Sequence, residues 1–203
     1  MKRATNILVA LSILCCSCGQ PGRLAPAEYI HYMEQDAAYK KKVDAGNTQY
    51  TIQLALPGYM ALKDAYGFNR ELNADAYSKR IKELDGFVFF LVNIIKAPSG
   101  DPLKKMAASQ ASTEQMVMYY ESAARDITLK DGDAELKPVT YHFENNDNLS
   151  PYNTIVVAFP DNGGNGKDLQ LVFNDRYAGN PFVKASFPKT LITHPPTLLI
   201  TGK

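Results

Sequence analysis

The run Phe87-Val-Phe-Phe-Leu-Val-Asn-Ile-Ile95 limits what this chain can become more than any other segment. Its nine residues are almost wholly apolar and rich in β-branched and aromatic types, with Gly86 before them and Pro98-Ser-Gly100 after. Such a run is too short to cross a bilayer as a helix, which takes about 20 residues. Its length, composition and borders predict a central strand covered on both faces. The chain therefore has to supply sheet partners and covering layers.

Partners are plentiful downstream. Ile127–Leu129, Val139–Phe143, Thr154–Phe159, Leu169–Phe173 and Val183–Phe187 are short apolar or alternating runs. Asp131-Gly132, Asn145-Asn-Asp-Asn148, Asp161-Asn-Gly-Gly-Asn-Gly166 and Gly179-Asn-Pro181 lie between them as turn signals. Strands at this spacing predict an antiparallel sandwich or barrel. Met116–Glu121 reads as a further strand, with a helix as the alternative because Ser112 and Gln115 have capping-box spacing. Pro102–Ser112 is small and polar and reads as a mobile loop.

Upstream the period changes. Pro26 suits a first helical turn, and Ile30, Met33 and Ala37 share a face, which predicts a helix over Ala27–Lys41. Lys40-Lys41-Lys42 would then sit at its negative end. Asp44-Ala-Gly-Asn47 reads as a turn. Tyr50, Ile52, Leu54 and Leu56 alternate with Thr51, Gln53 and Ala55, the pattern of a half-buried strand. Pro57-Gly58 ends it, with a short helix through Leu62. Asn73 reads as the N-cap of a helix over Asn73–Asp85, carried by Tyr77, Ile81 and Leu84. Pro195-Pro196 keeps the tail extended. The expected fold is mostly β with added helices (α+β): an antiparallel β-sandwich preceded by N-terminal helices.

The first eighteen residues are of another kind. Met1-Lys2-Arg3 is positive, Ile7–Cys16 is an apolar run, Ser17 is small, and Gly19-Gln-Pro-Gly22 breaks regular structure. That is the layout of a secretory signal. With Cys18 at the exit point, the segment resembles a bacterial lipoprotein signal peptide, Bacteroides-like in outline. The resemblance implies that Cys18 is lipidated, for example with palmitate, and becomes the new N-terminus. Cys16, with Ile13 and Leu14 before it, is the alternative; Cys15 has the larger Leu14 as its neighbour. The organisation expected is a signal peptide over 1–17, a lipidated tether over 18–26 and a single domain over 27–203.

Cleavage before Cys18 would remove Cys15 and Cys16, leaving a body without disulfides in an oxidising compartment. It would also remove Lys2 and Arg3, taking the formal charge from +1 to −1. With 22 basic and 21 acidic side chains in the whole chain, no basic excess points to nucleic acid. Nor would the body be drawn to an anionic bilayer, so the acyl chains must anchor it. The resemblance implies a cell-envelope location. No aspartate follows Cys18 to signal inner-membrane retention, and the acidic run of Bacteroides-type surface lipoproteins is missing. The expectation is the outer membrane with the body facing the periplasm. The C-terminal two thirds also loosely resembles the immunoglobulin-like sandwiches common in envelope lipoproteins.

Patterns that could carry chemistry are few. Gly163-Gly-Asn-Gly166-Lys-Asp168 matches the opening of an RTX calcium repeat, but it stands once, and Gln170 occupies the apolar place. It reads as a hairpin loop. Asp131, Asp133 and Glu135 place three carboxylates around Gly132, short of the six to eight oxygens calcium takes. Glu28-Tyr-Ile-His31 has the spacing of a di-iron helix motif without its second copy. His31, His142 and His194 are the only histidines, and no G-x-S-x-G is present. Tyr29, Tyr32 and Tyr39, with the adjacent Tyr119 and Tyr120, read as edges of the core or as contact area. No cofactor or metal is expected. The function expected is non-catalytic binding or structure in the envelope, with a partner that is an envelope protein or glycan. The alternatives are an envelope hydrolase using paired carboxylates and a glycan-binding accessory lipoprotein.

Overall fold

The computed structural model describes residues 22–66, 72–96, 109–146, 150, 152–161 and 166–200. Cys15, Cys16 and Cys18, and most of the Pro102–Ser112 loop, lie outside them.

The apolar run is strand β4 (Phe87–Lys96), and it does lie centrally. On one side it pairs with β3 (Thr48–Ala55), Phe90 opposite Leu54; on the other with β8 (Asn153–Pro160), Phe90 opposite Val157. β2 (Lys40–Ala45) and β7 (Thr140–Glu144) flank these to give the antiparallel order β2-β3-β4-β8-β7. β5 (Ile127–Asp131), β6 (Ala134–Leu136), β9 (Asp168–Asp175) and β10 (Asn180–Pro188) form a second antiparallel sheet, ordered β10-β9-β5-β6. Aromatic rings join the two sheets. Phe90 meets Phe187 with centroids 5.6 Å apart, and Tyr50 meets Phe173 edge-on at 6.1 Å. All four are fully buried. A third, two-stranded sheet pairs β1 (Arg23–Leu24) in parallel with β11 (Thr197–Leu198), so the end of the expected tether is bonded to the tail.

The fold is mostly β with added helices, an α+β arrangement of antiparallel sheets. The helices do not all come first: α1 (Pro26–Gln35) precedes the large sheet, while α2 (Pro57–Ala65) and α3 (Ala74–Leu84) stand between β3 and β4. α3 begins as the sequence predicts, Asn73 Oδ1 accepting the Ala76 N–H at 2.9 Å. α4 (Ser109–Glu121) leads through a short 3₁₀ turn into β5, and α5 (Thr190–Thr193) follows β10.

Three expectations are corrected. The first helix stops at Gln35, not Lys41. Asp36 Oδ1 accepts the Ala38 N–H at 2.7 Å, a local bond that competes with the helical ladder. Tyr39 then turns into the core, its hydroxyl donating to the Leu191 carbonyl. Lys40–Lys42 are therefore on a strand, yet two of them still reach back to the helix end and the turn after it. Lys40 Nζ donates to the Glu34 carbonyl and Lys41 Nζ to the Ala37 carbonyl. The second correction concerns β3, which is buried on both faces rather than one. α1 lies over its polar side, and Gln53 Nε2 donates to the Met33 carbonyl at 3.0 Å. The third is Met116–Glu121, which is helical; α4 starts at Ser109, so Ser112 does not cap it.

Candidate functional site

The densest polar construction stands where β9 turns into β10. Asp175, the last residue of β9, is fully buried. Its Oδ2 accepts from the hydroxyls of Tyr50 on β3 (2.7 Å) and Tyr120 on α4 (2.8 Å). Its Oδ1 accepts the Ala178 N–H at 3.0 Å, holding the turn closed. Asn180 Nδ2 donates to the Tyr50 hydroxyl and to the Ala45 carbonyl, both at 3.0 Å, tying the turn to the β2–β3 hairpin. Both sheets and α4 thus converge on one carboxylate. Burial, helped by the neighbouring Asp175, pushes the Tyr120 phenol well above its ordinary value. Burial also raises Tyr50, with the Asn180 hydrogen bond opposing and Asp175 adding. Both phenols remain donors across the physiological range.

A second ring lies outside this core. The Tyr119 hydroxyl accepts the Arg176 N–H at 3.0 Å and lies 3.1 Å from Asp126 Oδ2. Burial pushes it up to about 12, the Arg176 N–H opposing and Asp126 adding. Arg176 pairs with Asp126 at 2.7 Å, and its guanidinium sits 6.0 Å from the Tyr119 ring centre. Tyr177 stacks on Tyr119 at 6.0 Å, and the Tyr141 hydroxyl donates to the Tyr120 carbonyl.

The turn so fixed displays Phe182. A β-bulge between Asn180 and Val183 puts Phe182 at φ +64°, a left-handed conformation unusual for a bulky side chain. The ring is 67% exposed, with Lys184 Nζ 5.4 Å from its centre. Chemically, the site offers an aromatic–cation surface on a rigid base. Its buried carboxylate is engaged in holding the turn.

The residues singled out from sequence go elsewhere. Asp131 is buried, paired with Lys189 at 2.7 Å and accepting the Gly166 N–H at 3.1 Å. The two sequence clusters around Gly132 and Gly166 therefore meet, but to lock a hairpin against a loop. Glu135 turns away to Lys137. Glu28 accepts the Ala25 N–H at the start of α1, and His31 is exposed on the same helix. His142 and His194 are exposed too. Among the described residues, no three His, Cys, Asp or Glu side chains converge as a metal site. Tyr29 and Tyr39 are core residues, and Tyr39 lies beyond the helix. Of the five tyrosines read as core edge or contact area, Tyr119 and Tyr120 join the site, and Tyr50, read as a strand residue, joins them. Asp175, Arg176, Asn180 and Phe182 were not singled out; the Gly179-Asn-Pro181 turn signal was the nearest pointer.

No family model matches the chain, and no curated protein is similar to it. Among solved structures it is similar to a DUF4426 family protein from Pseudomonas aeruginosa PAO1, at 12% identity and a TM-score of 0.33. The match covers 75% of this chain and 98% of that one. Likeness at that level defines neither family nor activity.

Proposed function

We propose that this chain is a lipid-anchored protein of the bacterial cell envelope. In this reading it is held through Cys18 to the outer membrane, with its body facing the periplasm. Its role is non-catalytic: it contacts another envelope component through the β9–β10 turn. The observation that carries the contact role is Phe182. An exposed aromatic ring in a left-handed conformation costs the folded body free energy and packs little in return, and such strain collects where a protein meets its ligands. The buried Asp175 cluster beneath it supports the same reading, since rigid presentation lowers the ordering cost of binding. The leader Met1–Cys18 supports the anchor. Two antiparallel sheets facing each other across Phe90, Phe187, Tyr50 and Phe173 support an immunoglobulin-like sandwich as the finer description of the body.

Two measurements test this reading. Metabolic labelling with an alkynyl palmitate should mark the wild-type chain and leave Cys18→Ala dark; an unlabelled wild type overturns the anchor. A photo-crosslinking phenylalanine in place of Phe182 should give one discrete adduct in cells. The same probe at Ser186, exposed on the same strand, should not. Identical patterns at the two positions overturn the contact role.

A further inference from the structure

We propose that the edge bearing Leu199 and Ile200 lies against the lipid bilayer, so that the body is seated on the membrane instead of swinging from its leader. The inference rests on the reading of Cys18 as the lipid site and adds a second, non-covalent contact to it.

The β1–β11 ladder is the first observation. Arg23 and Leu24 pair with Thr197 and Leu198, and the Leu199 N–H donates to the Leu24 carbonyl at 2.8 Å. The chain just after the lipid site is therefore bonded to the tail. Leu199 and Ile200 follow directly, 40% and 38% exposed, two large apolar side chains in a row. Leu24 itself packs against the core and borders an open groove along α1 that Glu28, His31, Gln35 and Asp36 make polar.

Tether length then selects the occupant. Cys18 and Arg23 are five positions apart, a reach of at most about 17 Å when fully extended. Acyl chains on Cys18 would occupy the hydrocarbon region, and the headgroup layer above it is itself about 5–8 Å deep. Leu24, and with it Leu199, is thus confined to the neighbourhood of the headgroups. Exposed leucine and isoleucine there lose apolar surface to the lipid. Arg23 is exposed beside them and suits anionic headgroups. Glu28, the nearest acidic side chain in sequence, already accepts the Ala25 N–H.

The same geometry sends the contact turn outward. β2 and β10 lie side by side with Ala45 against Asn180 at one end. At the other, Tyr39 meets Leu191 and Lys41 lies over Phe187. The tail leaves from that second end. Phe182 lies about 20 Å away along β10, at roughly 3.3 Å per residue.

The chain contains no tryptophan, so one introduced indole reports alone. Full-length Leu199→Trp and Ile200→Trp, purified with their lipid, are placed in phosphatidylcholine–phosphatidylglycerol vesicles with plain or brominated acyl chains. Emission from both should move to shorter wavelength on reconstitution and be largely lost in the brominated vesicles, while Phe182→Trp keeps its emission. Equal emission in plain and brominated vesicles from palmitate-labelled protein overturns this inference and leaves the anchor standing. Absence of palmitate label overturns both.

Discussion

Exchanging Phe182 for asparagine should make the protein more stable while removing its contact. A side chain with a Cβ in the left-handed region costs about 1–2 kcal/mol, and asparagine tolerates that region better than a bulky ring. Little opposes the gain. The ring is 67% exposed, and its contact with Lys184, 5.4 Å from the centroid, is of the solvent-exposed kind. Such a cation–π contact contributes about 0.5–1 kcal/mol. The net expectation is a gain of about 0.5–1 kcal/mol, or about 1–4 °C in melting temperature for a chain of this size. Circular dichroism at 218 nm followed on heating reads it, with the full chain kept in one detergent. Phe182→Gly should gain less, because glycine gives back about 0.5–1 kcal/mol in unfolded-state entropy. Both variants should co-purify less of the partner that the probe at position 182 identifies. A melting temperature that falls in both would refute the reasoning, because it would mean that Phe182 stabilises the body it sits on.

The remaining predictions concern what holds the turn and the sheets. Tyr120→Phe removes a donor from the fully buried Asp175 and should cost about 1.5–3 kcal/mol in urea unfolding. Tyr59→Phe, whose hydroxyl serves the partly exposed Glu34, should cost less than about 1 kcal/mol; equal costs would refute the special standing of Asp175. Lys189→Met takes the cation from buried Asp131 and should cost about 3–5 kcal/mol, read as a drop in melting temperature on the order of 10 °C. Gly166→Ala would bring a Cβ to 2.4 Å from the Gly132 nitrogen and should cost about 1–3 kcal/mol, visible as a lower urea midpoint. In alkali, Tyr39 and Tyr119 are both pushed up from 10 to about 12, so the folded chain holds protons that the unfolded chain has lost. Stability should be intact below pH 10 and fall as pH rises from 10 to 12, followed by phenolate absorbance at 295 nm.

Much of the sheet framework was legible because its signals are local. Phe87–Ile95 carries its strand in its own composition, Asn73 supplies its own cap, Thr154–Phe159 is a short apolar run, and Leu169–Phe173 and Val183–Phe187 bury every second residue. The misreadings come from tertiary context. Lys40–Lys42 has helix-end chemistry, and Lys40 indeed bonds the Glu34 carbonyl of the helix, but the burial of Tyr39 sets its backbone. Gln53 looks solvent-facing until α1 covers it. The candidate site was hidden for the same reason. Tyr50 and Asp175 are 125 residues apart, Tyr120 and Asp175 are 55 apart, and no spacing rule joins them.

The short parallel ladder of Arg23–Leu24 with Thr197–Leu198 makes the protein's response to mechanical load predictable. In the proposed lipid-anchored reading, tension arriving through the leader would meet two residue pairs before it met the five-stranded sheet, whose central strand β4 is held along eight pairs on each side. That clasp yields first and releases slack. In that reading, a pull from the membrane would open this rim first, while the Asp175 turn keeps its shape.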